Sequence, residues 1–339
     1  MKNKNLKIYL SFFILLIILV VVLLWDLSTG NAKVPFNELL KFIFPWEKSS
    51  DEYYVLIREF RFSRVAMAFI AGTALSVSGL LMQTIFRNPL AGPYVLGISS
   101  GAGLGVALVV LGTGFLSFSL SSITIIFSAI IGSAAVLLII LAISMRMRDT
   151  VSILIIGILL SGVIGSIISI LQYYAADINV KSYVIWTMGS LSSVSFTDIK
   201  LIFPIILLFS FAAFILSKKL NLLLPGESFA ITMGVNLKVI RIFTFIIVSI
   251  LTGVVTAFCG PLGFIGIAVP HIARWLFNSS NHFLIIPASF IIGGIVMLFS
   301  DILTHVFVSQ GIIPVNAITA IIGAPVVVWI VVKNKRVIV

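Results

Sequence analysis

The residues with the most chemistry in this chain are few and far apart. Asp301 and His305 stand four positions apart in SDILTHV and so share one face of a helix. An acid inside an apolar run is a functional candidate, and its chemistry would be proton relay. The plainer reading is a pair near a helix end that orders a loop; it is preferred because no second buried acid is expected beside Asp301. His271 follows Pro270 in IAVPHIARW, where a histidine serves most simply to satisfy carbonyls freed by the break. Cys259 is the single cysteine, which excludes a disulfide within the chain. With His271, His282 and His305 scattered, no Cys/His cluster offers a structural metal site. No Ser/His/Asp order, HExxH or GxxxxGK[ST] occurs. The chain is therefore not expected to be an enzyme, and any ATP that drives it must be hydrolysed by another subunit.

One polar segment interrupts the apolar runs: KKLNLLLPGESFAITMGVNLK, residues 218–238. Pro225 suits a first helical turn, where its missing N–H costs nothing. Glu227 favours the positive end of a helix. Phe229, Ala230 and Met233 fall on one face, and Gly234 is a natural stop. The segment reads as a short amphipathic helix. Its apolar face could rest on the chain's own spans or fit a groove in a partner, and the residues alone leave both open.

The elements that must position these groups are membrane spans. Of 339 residues, 60% are hydrophobic and only 10% charged, against about a quarter charged in soluble domains. Apolar runs of about 20 residues recur, each long enough to cross a hydrocarbon core of about 30 Å. Ten spans are expected, at about 6–25, 62–85, 93–111, 119–144, 151–173, 199–216, 239–258, 262–277, 283–305 and 314–332. They form a single permease-like membrane domain over residues 1–339, an all-α polytopic protein. FNELLKFIFPW, between the first two, reads as a short amphipathic helix at the interface. The formal charge of +11 follows the same plan. Fourteen Lys and Arg fall on one side with only Asp149 and Glu227, whereas the other side carries eight of each sign, Asp26 among its acids. Cationic loops stay in the cytoplasm, so both termini and the 218–238 loop are expected inside. The charge is an orientation signal, and no nucleic-acid partner is expected.

SGLLMQTIFRNPLAG in the second span echoes TGVVTAFCGPLG in the seventh, which runs the opposite way. Five plus five spans of opposite orientation would be an inverted repeat, as in many transporters. Small residues are dense in GISSGAGLG (97–105), SGVIGS (161–166) and Gly293–Gly294, and such spacing lets helices approach closely in lipid.

Several stretches together resemble the permeases of bacterial type II ABC importers, the iron-siderophore, haem and cobalamin family (FecCD/BtuC-like). RFSRVAMAFIAGTALSVSGLLMQTIFRNPLAGPYVLGISSGAGLG (61–105), LIIGILLSGVIGS (154–166) and WTMGSLSSVSF (186–196) carry the first half of the likeness. LNLLLPGESFAITMGVN (220–236), GPLGFIGIAVPHIARW (260–275) and IPVNAITAIIGAP (313–325) carry the rest. The resemblance implies a ten-span permease that pairs with an identical or paralogous subunit, with the substrate path along the dimer axis. Two cytoplasmic ATPases and an extracytoplasmic binding protein, lipid-anchored in a Gram-positive cell, would complete the importer in the cytoplasmic membrane. No cofactor is implied.

The resemblance also assigns roles. Residues 218–238 would hold the coupling helix that docks in an ATPase groove, with Gly226, Glu227, Ala230, Met233 and Gly234 at the contact. Arg61 and Arg64, with Arg58 beside them, would dock acidic residues of the binding protein; local pairing with Glu52 or Glu59, or snorkelling to the interface, is the alternative. The fifth span offers Ser152, Ser161, Ser166, Ser169 and Gln172 at helical spacing. They suit a path that must release its cargo, or hydrogen bonds between helices. The cargo expected first is a ferric siderophore, then haem or cobalamin. A proton-coupled secondary transporter using Asp301 and His305 is the reading of a different class. Three positions depart from the family pattern: Ser63 for a proline, Gly92 for an acid and Asn316 for a glycine.

Overall fold

Apolar runs in lipid leave the backbone one economical solution, a helix that satisfies its own N–H and C=O groups. The computed structural model describes residues 2–30, 32, 34–43, 51–112, 121–147, 149–306 and 313–333, and every regular element among them is helical. The order is α1 (Lys2–Ser28), α2 (Phe36–Ile43), α3 (Asp51–Val55), a π-helical stretch (Leu56–Phe62), α4 (Ser63–Ile85), a 3-10 turn (Pro93–Leu96), α5 (Ile98–Val110), α6 (Ser122–Arg146) and α7 (Thr150–Tyr174). Then come α8 (Asp177–Thr187), α9 (Phe196–Ile215), α10 (Ser217–Leu223), α11 (Glu227–Thr232), α12 (Leu237–Cys259), α13 (Ile265–Phe277), α14 (His282–Val306) and α15 (Val315–Lys333).

Polar residues mark the helix starts. Ser121, Asp149 and Asn236 accept backbone N–H groups of the first turns of α6, α7 and α12, and Ser195 with Asp198 forms a capping box on α9. Among the described residues, seven helices are long and apolar enough to cross a membrane, and α5, α13 and α15 are shorter apolar helices. Each of the ten expected spans thus corresponds to one helix, but only seven meet the length for crossing.

Four boundaries differ from expectation. The first span does not stop at Trp25: α1 carries Asp26 inside the bundle, fully buried. The second does not start at 62, because α3, the π-helical stretch and α4 run on as one helix of 34 residues from Glu52. Residues 93–96 lie in a separate turn before α5, and 262–264 form a turn before α13. Helices α8 and α10 were not expected at all. The amphipathic α2 lies where FNELLKFIFPW places it, with residues 44–50 outside the described set.

Helix α4 is the hub, packed against α9, α12, α13 and α14. Its small residues explain how. A Cβ on Gly72 would come within 2.1 Å of the Gly293 carbonyl oxygen, and one on Gly79 within 1.7 Å of that of Gly266. Backbones that close leave no room for a side chain, and such contact is what drives helix association where lipid removes the hydrophobic incentive. The two halves pack alike: α4 lies on α13 and α14, as α12 lies on α5 and α6. Helices α7 and α9 instead leave much of their apolar surface uncovered, Ile155, Leu159 and Ile170 on one, Leu201, Leu208 and Phe211 on the other.

Candidate functional site

Three places hold the polar groups singled out above. The first is the end of the bundle formed by α10, α11 and the start of α12. Here α11 is a single exposed helical turn and a half. Gly226, its N-cap, adopts φ +137°, a conformation that a side chain disfavours. Pro225 therefore precedes the helix rather than opening it. At the other end Gly234, φ +78°, donates to the Ile231 carbonyl at 2.9 Å while Val235 N–H reaches Ala230 at 3.0 Å, a Schellman closure. Ala230 is buried against the flanking helices, whereas Phe229, Ile231 and Met233 are exposed. The expected apolar face is thus split: Ala230 seats the helix, and a knob of larger apolar side chains points away from the protein. Glu227 faces Arg241 of α12 at 3.8 Å, and Arg241 donates to the Met147 carbonyl at the end of α6 at 3.4 Å. These groups line a cleft of about 660 Å³ between α6, α11 and α12. Beside it Asp149 caps α7, accepting from Ser152 Oγ at 2.6 Å and from the Ser152 and Val151 N–H groups. Those bonds hold its carboxyl below the usual carboxylate range. Ser152 is therefore occupied as part of a cap.

The second place is the opposite end. Arg58 is half-exposed, 3.7 Å from Glu59, with its guanidinium 4.4 Å from the Phe196 ring centre. Arg61 and Arg64 turn inward and are each only 5% exposed. Arg61 donates to the carbonyls of Leu27, Ser28 and Ala32, closing the turn after α1. Arg64 meets Asp26 at 3.2 Å, Asp301 at 2.9 Å and His305 at 2.8 Å. Two expectations change. Arg61 and Arg64 pair with neither Glu52 nor Glu59 among these contacts, and neither offers a free guanidinium to a partner in this arrangement. Asp301 does have a second buried acid beside it, Asp26. The signal for Asp26 was present in LLWDLS: an acid at the end of a long apolar run, by the same rule that singled out Asp301. Ser63, where a proline was the family's habit, keeps its N–H and gives it to the Phe60 carbonyl, in line with an unbroken helix.

The third place is a cavity of about 330 Å³ between α5, α7 and α8, lined among others by Tyr94, Ser99, Ser161, Tyr183 and Trp186. Of the expected path residues, Ser161 reaches it. Ser166 and Ser169 lie on the exposed side of α7 with their hydroxyls on the Gly162 and Gly165 carbonyls, and Gln172 is half-buried near the helix end. The five do not converge on one surface. The aromatic lining from α8 was missed because that helix, DINVKSYVIWT, has no clear apolar stripe. His271 donates to the Pro89 carbonyl at 2.8 Å, so the carbonyl it satisfies lies in the loop after α4 and is not one freed by Pro270 in its own helix. Asn316 takes up the Gly263 N–H at 3.0 Å, pinning α15 to the turn before α13.

Residues 17–333 match the FecCD transport family. The chain belongs to that family. The haemin transport system permease protein HmuU of Yersinia pestis is 31% identical over 328 residues, 95% of each chain. The Fe(3+) dicitrate transport system permease protein FecD of Escherichia coli is 32% identical, covering 97% of this chain and all of its own. The vitamin B12 import system permease protein BtuC of Klebsiella pneumoniae is 31% identical over 95% of this chain and 93% of its own. A solved chain described as an inward-facing conformation of a transporter classed as metal-chelate type ABC superposes with a TM-score of 0.83 at 28% identity, over 95% of this chain and 98% of that one. The protein is accordingly a permease subunit of an ABC importer of the FecCD family, a multi-pass membrane protein and transport component whose ATPase is a separate subunit. The family implies ATPase subunits, a substrate-binding protein and a permease partner.

Proposed function

We propose that this FecCD permease carries an iron(III)-siderophore across the bacterial cytoplasmic membrane, paired with an identical or paralogous permease and driven by two ATPases on the side of α11. The observation that carries the mechanism is the shape of α11: a short helix held out between two glycine turns, with Phe229, Ile231 and Met233 exposed at its tip. An apolar knob that its own protein leaves uncovered fits a groove in a partner. Gly226, Glu227, Ala230, Met233 and Gly234 then form and present the coupling contact. The ten apolar helices cross the membrane as two inverted sets of five, in accord with the matching packing of α4 and α12. Both termini lie in the cytoplasm, as the basic loops favour.

At the outer end a binding protein, lipid-anchored where the cell has no outer membrane, docks beside Arg58. Arg61 and Arg64 contribute by holding the turn that the docking face includes, rather than by pairing directly. Cargo passes along the dimer axis by way of α5, α7 and α8, past Ser161 in the cavity between them and past Ser166, Ser169 and Gln172 elsewhere on α7. Groups this weakly polar can release what they touch. ATP binding draws the ATPases together, α11 moves with them, and the permease halves rock between two packings.

An iron chelate is the cargo carried by one relative, FecD; the haemin and vitamin B12 relatives, matched over nearly the same share of the chain, make those cargoes the runners-up. Gentle purification of the tagged chain should bring down a P-loop ATPase, a binding protein and any second permease. Uptake of labelled ferric siderophore, haem and cobalamin by cells with and without the gene then separates the cargoes. A chain isolated alone that still transports would overturn the reading.

A further inference from the structure

Asp26 of α1 and Asp301 of α14 meet over Arg64 of α4, and their side chains are 0% and 1% exposed. Arg64 Nη2 is 3.2 Å from Asp26 Oδ1, and Nε is 2.9 Å from Asp301 Oδ2. Nη1 lies 2.8 Å from Nε2 of His305. A guanidinium only donates, so Nε2 accepts, and the proton of His305 sits on Nδ1. That nitrogen faces Thr304 Oγ1 at 2.7 Å and the Asp301 carbonyl at 3.0 Å. His305 is therefore neutral in this arrangement.

Nε and Nη2 belong to the same guanidinium, so the two carboxyl groups that meet them are neighbours. Carboxylates only accept, so two of them can bond to each other only if one brings a proton. Like charges in contact in a dry interior cannot both ionise. Asp26 Oδ2 and Asp301 Oδ2 are both buried with no hydrogen-bond donor on them, because the Arg64 Nε contact is an ion pair without the alignment of a hydrogen bond. One shared proton would satisfy the pair. The remaining charged and titratable groups nearby do not compete for it. Arg61 is spent on the carbonyls of Leu27, Ser28 and Ala32, Thr29 Oγ1 touches Asp26 Oδ1, and on the α12 side stands the buried thiol of Cys259.

We propose that Asp26 and Asp301 form a proton-binding site: one proton held between the two carboxyl groups fastens α1 to α14 across Arg64. With that proton in place the pair carries one negative charge, which Arg64 balances. The site is closed on all sides, so the proton is a structural ligand of the outer end of the bundle and not a transported ion.

The count of protons gives the test. Asparagine keeps the shape of a carboxylic acid and removes the need for the proton. In the full-length protein in lipid nanodiscs, Asp26→Asn and Asp301→Asn should each lower the thermal midpoint by only about 2–4 °C, since one carboxylate still balances Arg64. The double substitution leaves Arg64 without a counter-ion and should lower it by far more than the sum of the two. Infrared spectra of the unaltered protein at neutral pH should show the C=O stretch of a buried un-ionised carboxyl group, shifted in deuterated water and missing from both single variants. Absence of that band overturns the proposal. So does a single substitution that raises the midpoint, which is the behaviour of two ionised acids, since removing one relieves their repulsion.

Discussion

Two charged centres lie at opposite ends of this permease, and they are built oppositely. Around Arg64 the charged and titratable partners are inside: Asp26, Asp301 and His305 come from α1 and α14, and solvent reaches almost none of them. Around Arg241 the partner is Glu227, whose side chain is 35% exposed and which sits on a six-residue helix beside an open cleft. The first centre ties three long helices into one block. The second ties one small, projecting helix to the bundle by a contact long enough to break. A buried pair is destabilising to break, because the survivor is stranded without water; at the second centre only Arg241 is buried, 5% exposed, and it keeps the Met147 carbonyl when the half-exposed Glu227 moves away. The difference teaches that charge in this chain locks long helices together at one end and leaves a small helix room to move at the other.

The largest effect should come from removing the hub of the sealed centre. Arg64→Met leaves two acids and no cation in the interior, a loss of about 3–5 kcal/mol by the usual cost of stranding a buried charge. The variant should fail to accumulate in the membrane, read by quantitative blotting of membrane fractions. If it accumulates normally and loses only transport, the two centres are not different in kind.

Next in size is Gly226→Arg. No residue but glycine is at ease at φ +137°, yet the nearest heavy atom to a new Cβ would be 3.9 Å away, so space is available and conformation is the obstacle. The permease should remain in the membrane while uptake falls by an order of magnitude or so, the ATPases being released from α11. Co-purification of the ATPase with the variant is the measurement, and undiminished capture would go against the coupling role.

A smaller effect is expected at the open ion pair. Arg241→Glu should reduce the ratio of transport to ATP hydrolysis several-fold and, because Arg241 is itself buried, lower the thermal midpoint as well, and the double exchange Glu227→Arg with Arg241→Glu should restore part of both. Restoration marks the pair as a strut between α11, α12 and the end of α6. Equal loss in both variants would mean that Arg241 does not act through Glu227.

The long helices were legible because lipid leaves apolar segments no alternative, and the family was legible because its glycine and proline motifs occur at their full lengths. What escaped was decided by partners distant in sequence. Arg64 and Asp26 are 38 positions apart, and Arg64 and His305 are 241 apart. Nothing local to the stretch REFRFSR says that its second and third arginines turn inward while the first stays out. Asp26 was assigned to a loop by a boundary three residues short, an error small on the scale of a helix and decisive for the charge it carries. Helices α8 and α10 escaped for another reason: they are short and of mixed polarity, and they form because the longer helices around them give them surfaces to lie on. The polar segment at 218–238 was read correctly as holding a short helix bounded by Gly234. The direction of its apolar groups was not, since only packing reveals that Ala230 faces in and Met233 out.

The smallest effect is the sharpest test of the contrast, because it compares like residues at one end. Arg58, three positions before Arg61, is half-exposed and rests on Phe196 beside Glu59, so its removal strands nothing. Arg58→Ala should leave the thermal midpoint within about 1 °C, as an exposed ion pair warrants. If the binding protein docks here, its association should slow a few-fold at low salt and hardly at all at high salt, because a rim charge acts mainly by steering. Surface plasmon resonance on the reconstituted permease at two ionic strengths measures this. A salt-independent loss would place Arg58 inside the contact rather than at its rim. An effect on stability comparable to that of Arg64→Met would erase the distinction between a guanidinium that faces outward and one the fold has closed over.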